Sequence, residues 1–186
     1  MKKAINVFDY SKEILKTLHK GIFVTTKAGK RVNCMVISWG SLGIEWGKPI
    51  FTIYVRDNRF TKKLLDENSE FTVNIPLAAY NKEIFKICGT KSGAELDKIK
   101  AAGLTLVEAE KITVPAVKEF PLTLECKVIY KEKQEKERIL KAYSDKFYPK
   151  DEASGKETED KNYHTAYYGQ IVSSYIIEEE AGLNKR

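Results

Sequence analysis

The stretch Leu122-Thr-Leu-Glu-Cys-Lys-Val-Ile-Tyr130 alternates apolar and polar residues over nine positions and is the clearest β-strand in the chain. Leu122, Leu124, Cys126, Val128 and Tyr130 share one side of it. Further strands read on both sides of this segment. Upstream, Phe71, Val73 and Ile75 alternate with polar residues until Pro76 ends the run, and Ile50 to Val55 follows turn signals at Gly43, Gly47 and Pro49. Ile22 to Thr26 is β-branched and aromatic, closed by Ala28-Gly29. Val32 to Trp39 is apolar on both faces, which predicts a strand inside the fold. Between the strands, Phe60, Leu64 and Leu65 lie at helical spacing within Arg59 to Glu67, behind the capping pair Asp57-Asn58. Residues 79–88 and 94–102 read as short helices separated by Gly89-Thr-Lys-Ser-Gly93, and Leu104 to Val107 as a further strand. Downstream, residues 131–162 carry 18 charges in 32 positions and read as a charged surface excursion, partly helical over Glu135 to Tyr143. Thr165 to Ile177 then returns to β character around Gly169. The fold class is mainly β, a barrel or sandwich with short peripheral helices.

The chain of 186 residues reads as a single domain, residues 1–186, large enough to bury a core without staples. Its 42% apolar and 31% charged composition excludes disordered and low-complexity classes. Apolar runs stop at four residues, as in Cys34 to Ile37, so no membrane-spanning helix is expected. The basic start MKKAINVFDYSKEI lacks an apolar export region, which points to a cytoplasmic protein. Cys34, Cys88 and Cys126 form no CxxC pair and read as reduced thiols. His19 and His164 belong to no metal-ligand pattern, so no metal is expected. The net charge of +6 is concentrated in residues 1–40, where eight Lys/Arg face only Asp9 and Glu13. That surplus suits nucleic acid, anionic lipid, a phosphorylated small molecule, or simply a solvated surface.

No GxGxxG, GxxxxGK[ST] or GxSxG motif occurs, which removes the anchors of dinucleotide, P-loop and serine-hydrolase readings. What remains is a pair of segments, Asn33 to Gly40 and Val55 to Lys63. The second sets Arg56, Arg59, Thr61 and Lys62 where a strand gives way to a helix, so amides, a hydroxyl and guanidinium groups can converge on one phosphate. The same residues also suit a charged helix start with no ligand.

Six blocks, NCMVISWG, KPIFTIYVRDNRFTKKLL, EFTVNIP, CGTKSGAELDKIKAAGLTL, PLTLECKV and HTAYYGQIV, resemble in order the flavoredoxin-like flavin reductases, a family of FMN-binding split β-barrels. The resemblance covers roughly residues 20–176. It implies FMN as cofactor, with Asn33, Cys34, Met35, Val36 and Ser38 running beside the isoalloxazine ring and Trp39 packing nearby. It places Arg56, Asn58, Arg59, Phe60, Thr61 and Lys62 on the phosphate and ribityl chain, and Lys91 and Ser92 in a loop closing over the cofactor. His164 and Tyr167 would lie near the site, contributed by the partner subunit of a homodimer. One departure stands out: the GTKSG loop of the family continues with a basic residue where this chain has Ala94.

The implied activity is an NAD(P)H-dependent oxidoreductase that passes electrons through bound FMN to free flavin, an iron complex or a redox partner. The flavin carries that chemistry, so no catalytic side chain is required, and His164 is a candidate proton donor or a structural neighbour of the aromatics. Cys34 is read as a small apolar side chain, with ring tuning as the alternative. Two other functions fit parts of the sequence. One is an FMN-binding electron carrier that does not oxidise NAD(P)H directly. The other is a basic barrel binding single-stranded nucleic acid through Phe23, Tyr54 and Phe60, disfavoured because Phe23 and Tyr54 sit in strands that read as core.

Overall fold

The structure, a computed structural model, describes residues 1–148 and 163–178. A short strand β1 (Lys2–Ala4) and a 3₁₀ turn lead into helix α1 (Ser11–Leu18), followed by strands β2 (Ile22–Ala28), β3 (Arg31–Ile37), β4 (Gly40–Glu45) and β5 (Lys48–Arg56). Next come α2 (Phe60–Glu67), β6 (Glu70–Ile75), α3 (Lys82–Thr90), α4 (Lys98–Ala101) and the minimal strands β7 (Leu106–Val107) and β8 (Ala116–Val117). The long β9 (Leu122–Lys133), α5 (Lys141–Phe147) and β10 (His164–Ile177) complete the described elements. The mainly β expectation holds, with helices short and peripheral.

One antiparallel sheet runs in the order β3-β2-β6-β9-β10-β5-β4, with β1 zipped to the far end of β10. Its terminal strands, β3 and β4, are consecutive in the chain and joined only by Ser38 and Trp39. Three Cα steps of about 3.8 Å each reach at most about 11 Å. The two ends of the sheet are therefore drawn together at that link, and the sheet rolls into a barrel with a seam between β3 and β4.

Inside the barrel lie Ile22, Val24, Phe51, Ile53, Val55, Phe71, Val73, Leu122, Leu124 and Tyr167, capped by Val7, Ile14 and Leu18 from the N-terminal turn and helix. Each such side chain contributes roughly 1.5–3 kcal/mol by leaving water. Close packing extends to the backbone at Gly169, where β10 slips register against β9. A Cβ there would meet Phe71 Cζ at 2.4 Å. On the outer side of β2 and β3 a second cluster forms from Phe23, Cys34, Ile84, Cys88 and Phe120, with the Phe23 and Phe120 rings stacked at 3.7 Å.

The β3 expectation needs one correction: both faces are covered, yet the strand is the sheet's edge, because helices rather than another strand lie beside it. The charged excursion is also shorter than expected, since Lys131–Lys133 continue β9 against Thr165–Tyr167 of β10. Charged side chains can project to solvent while the backbone keeps its ladder. Its helical part is α5, exposed along Lys141, Ala142 and Tyr143. The expected turn at Ser154-Gly155 lies outside the described residues. Helix α1 and strands β1, β4 and β8 were not expected. Among the described residues no helix is long and apolar enough to cross a membrane.

Outside the barrel, the outward face of β6 and β9 holds a polar strap. Glu125 is fully buried and accepts the Glu110 and Lys111 amides, both at 2.7 Å. Asn74 donates to Thr25 Oγ1 at 3.0 Å and accepts the Val117 amide at 3.0 Å, while Thr72 Oγ1 donates to the Pro115 carbonyl at 2.9 Å. Together these bonds fasten the 110–117 segment to the sheet.

Candidate functional site

A cleft of about 290 Å³ opens at the barrel seam. One wall is the edge strand β3 with the Ser38-Trp39 link, and another is the end of β5 with the turn into α2. The third is the end of α3 with the Lys91-Ser92-Gly93 loop. Because β3 pairs with β2 alone, alternate backbone groups on its outer side have no strand partner and face this space.

Of the residues expected from sequence, Asn33, Met35, Val36, Ser38, Trp39, Arg56, Asn58, Arg59, Phe60, Thr61, Lys91, Ser92 and His164 line the cleft together. Three do not. Cys34 is fully buried in the outer apolar cluster, covered by Phe23, Ile84 and Phe120. Lys62 turns to a neighbouring groove, where it pairs with Asp66 at 2.7 Å. Tyr167 lies in the barrel, its hydroxyl donating to Asp66 Oδ1 at 3.2 Å, and burial followed by the Asp66 charge pushes its pKa up. Conversely, Cys88, Gly89 and Lys98 line the cleft although the sequence reading did not single them out. Lys98 is only 4% exposed, and no local pattern in Asp97-Lys-Ile-Lys-Ala101 distinguishes it from its solvated neighbour Lys100.

The start of α2 is built to meet a ligand. Its N-cap Arg59 is extended, makes no capping side-chain bond, and no acidic residue sits in the first turn, so that end of the helix keeps its positive character. Thr61 is buried there and its Oγ1 accepts from Asn33 Nδ2 at 2.9 Å. The Asn33 Oδ1 atom is buried with no hydrogen-bond partner, and it lies against Gly93 so closely that a Cβ on Gly93 would come within 2.1 Å of it. An alanine at Gly93 would therefore fill the space this amide occupies. Arg31 crosses the same region, donating to the Gly93 carbonyl and stacking 5.4 Å over the Phe60 ring.

Opposite, Arg56 donates to the Phe147 carbonyl at 3.2 Å and sits 5.4 Å over the Tyr148 ring. The Tyr148 hydroxyl bridges Gln134 Oε1 at 2.9 Å and His164 Nδ1 at 2.7 Å, while Trp39 packs on His164 at 4.8 Å and on Phe147 at 5.2 Å. His164 thus reaches the cleft of its own chain. Burial, then the Arg56 charge, pushes its pKa down to about 4, so the imidazole is neutral at pH 7. Burial also holds Lys98 below its ordinary value, with Arg59 adding to the effect.

Four cations, Arg56, Arg59, Lys91 and Lys98, line the cleft, and no described lining residue is a carboxylate. The arrangement therefore suits an anion. The nucleic-acid alternative loses its platform, because Phe23 is fully buried against Phe120 and Phe60 belongs to the cleft.

Comparison with known proteins follows the same line. An uncharacterized protein of Archaeoglobus fulgidus is 33% identical over 100 residues, 54% of this chain and 55% of that one, so the match spans about half of that relative. Among solved structures, flavoredoxin of Desulfovibrio vulgaris superposes with a TM-score of 0.63 at 25% identity, covering 85% of this chain and 69% of that one. An FMN-binding domain of a flavin reductases-like enzyme from Shewanella baltica gives 0.62 at 14% identity, covering 95% and 77%, a likeness of fold. The family model for the flavin reductase like domain matches residues 17–184, nearly the whole chain, and the protein belongs to that family.

Proposed function

We propose that the seam cleft binds FMN and that the protein is an oxidoreductase of the flavin reductase type. In this reading NAD(P)H reduces the flavin, and the electrons pass on to free flavin, an iron complex or a redox partner. The carrying observation is the unbalanced charge of the cleft, four cations with no carboxylate among the described lining residues. A dianionic phosphate ester answers that imbalance. The orphaned Asn33 Oδ1 supplies a buried acceptor for a ligand hydroxyl or N–H, and the unpaired edge of β3 offers the donors and acceptors that the rim of a flat heterocycle needs. Both fit FMN.

Within this reading, Arg59, Thr61 and the first amides of α2 hold the phosphate, with Arg56 and Lys91 adding charge. Trp39 and the β3 edge orient the ring. Lys98 and Arg56 stabilise negative charge that develops nearby. Bound FMN supplies the hydride and single-electron chemistry. His164, neutral and fixed by Tyr148, donates or accepts one hydrogen bond without adding charge. A homodimer accords with the exposed apolar stripe of Ile44, Trp46 and Tyr130.

Absorption spectroscopy and an FMN titration of the purified protein test the cofactor; a colourless sample that takes up no FMN ends the reading. Anaerobic mixing with NADH or NADPH then separates an enzyme from a pure electron carrier: bleaching of the flavin band is expected, and its absence would leave only electron carriage. Gel filtration checks the dimer, which a monomer mass would exclude.

A further inference from the structure

Cys34 and Cys88 are 54 residues apart in sequence and form no recognisable motif, yet β3 and the last turn of α3 bring both side chains into one small buried cluster. Phe23, Ile84, Val117 and Phe120 seal this pair on the outer side. On the inner side Cys88 reaches the cleft, and Lys98, bonded to the Cys88 carbonyl at 2.9 Å, brings a buried ammonium beside it. We propose that Cys34 and Cys88 are a dithiol that closes to a disulfide on two-electron oxidation, a modification site at the cleft wall with hydroperoxide as oxidant.

The two sulfurs are not equivalent. The hydrogen bond from Cys34, with the Lys98 charge behind it, holds the Cys88 thiol below its ordinary pKa. Cys34, the donor of that bond and fully buried, is held well above. Cys88, which lines the cleft where Cys34 does not, is therefore the attacking thiolate and Cys34 the resolving thiol. The Cys88 thiolate attacks one oxygen of hydrogen peroxide; the O–O bond breaks, and hydroxide leaves and is protonated to water. Cys34 then gives up its proton and attacks the oxidised Cys88 sulfur, the S–S bond forms, and the second oxygen departs as water. Two thiols and one peroxide yield one disulfide and two waters. Cys126 is the internal control: burial raises its thiol, and it has neither a thiol partner nor a described cation beside it.

The test uses the full chain without added flavin, so it stands apart from the FMN reading. The native protein, with its three free cysteines, is treated with stoichiometric hydrogen peroxide, then denatured and alkylated. The expected product is lighter by about 2 Da, has lost two of three titratable thiols, yields a peptide joining Cys34 to Cys88, and recovers fully in dithiothreitol. Cys126→Ser should behave identically, whereas Cys34→Ser should stop at a dimedone-reactive Cys88. Lys98→Met should slow the reaction at pH 7 by roughly tenfold, because the charge that favours the Cys88 thiolate is lost. Separate sulfinic acids at Cys34 and Cys88 with no linked peptide in the unsubstituted protein, or Cys126 reacting as fast as Cys88, would overturn the proposal without relying on any variant that misfolds.

Discussion

Two polar regions flank the same barrel and use their charges in opposite ways. Under the 110–117 strap, each backbone amide that Glu125 and Asn74 reach is paired, and the buried carboxylate of Glu125 finds two donors. At the seam, the cations have no carboxylate among the described lining residues and Asn33 Oδ1 has no partner. A buried polar group satisfied from within holds structure; one left unsatisfied costs stability and is retained where a ligand completes it. Thr123 Oγ1, opposite Asn74, is also buried without a partner, so it is the unbalanced cations together with the orphaned amide that set the cleft apart.

The most severe challenge to this contrast is Glu125→Ala. It removes a buried carboxylate and leaves two part-buried amides without their acceptor, and should cost about 3 kcal/mol in urea denaturation, with FMN affinity of the folded fraction unchanged. Loss of affinity with stability intact would reverse the assignment of the two regions. Arg59→Ala should do the opposite, weakening FMN binding by roughly 10- to 150-fold, or about 1.5–3 kcal/mol, with thermal stability nearly constant.

A finer probe is pH. His164 is depressed from 6.5 to about 4 in the folded chain, so the unfolded state binds the proton first and folded stability declines as pH falls through that interval. His164→Gln should remove that share of the acid sensitivity. FMN phosphate should offset the Arg56 field and raise the His164 midpoint in an NMR titration; an unchanged midpoint would place the phosphate elsewhere. Smallest is Lys62→Ala, which breaks an exposed pair with Asp66 worth at most about 1 kcal/mol and should alter FMN affinity less than about threefold. A large loss there would return Lys62 to the site that the resemblance implied.

Much of the barrel was legible because alternation marks β6 and β9, while β2, β5 and β10 show as short runs rich in β-branched and aromatic residues bounded by turn signals. β4 was missed because Gly40, Gly43 and an exposed Ile44 blur its pattern. Helix α1 escaped because only Ile14 and Leu18 of its eight residues are buried, although their four-residue spacing is a helical sign. In the cleft, Arg56 and Arg59 were readable from their place before a helix. Lys98 and Cys88 were not, since their position depends on α3 and α4 docking on β3. Cys34 and Tyr167 were assigned by segment, and packing buried Cys34 in the outer cluster and Tyr167 in the barrel.

The place of β10 in the sheet bears on biosynthesis. It joins β5 to β9 and binds β1 at its far end, yet it is translated after all three. Until it leaves the ribosome, the β3-β2-β6-β9 and β5-β4 portions have no strand between them and expose raw edges that favour aggregation. A nascent chain at that stage lacks His164 as well, so cofactor capture is expected to wait for translation through β10.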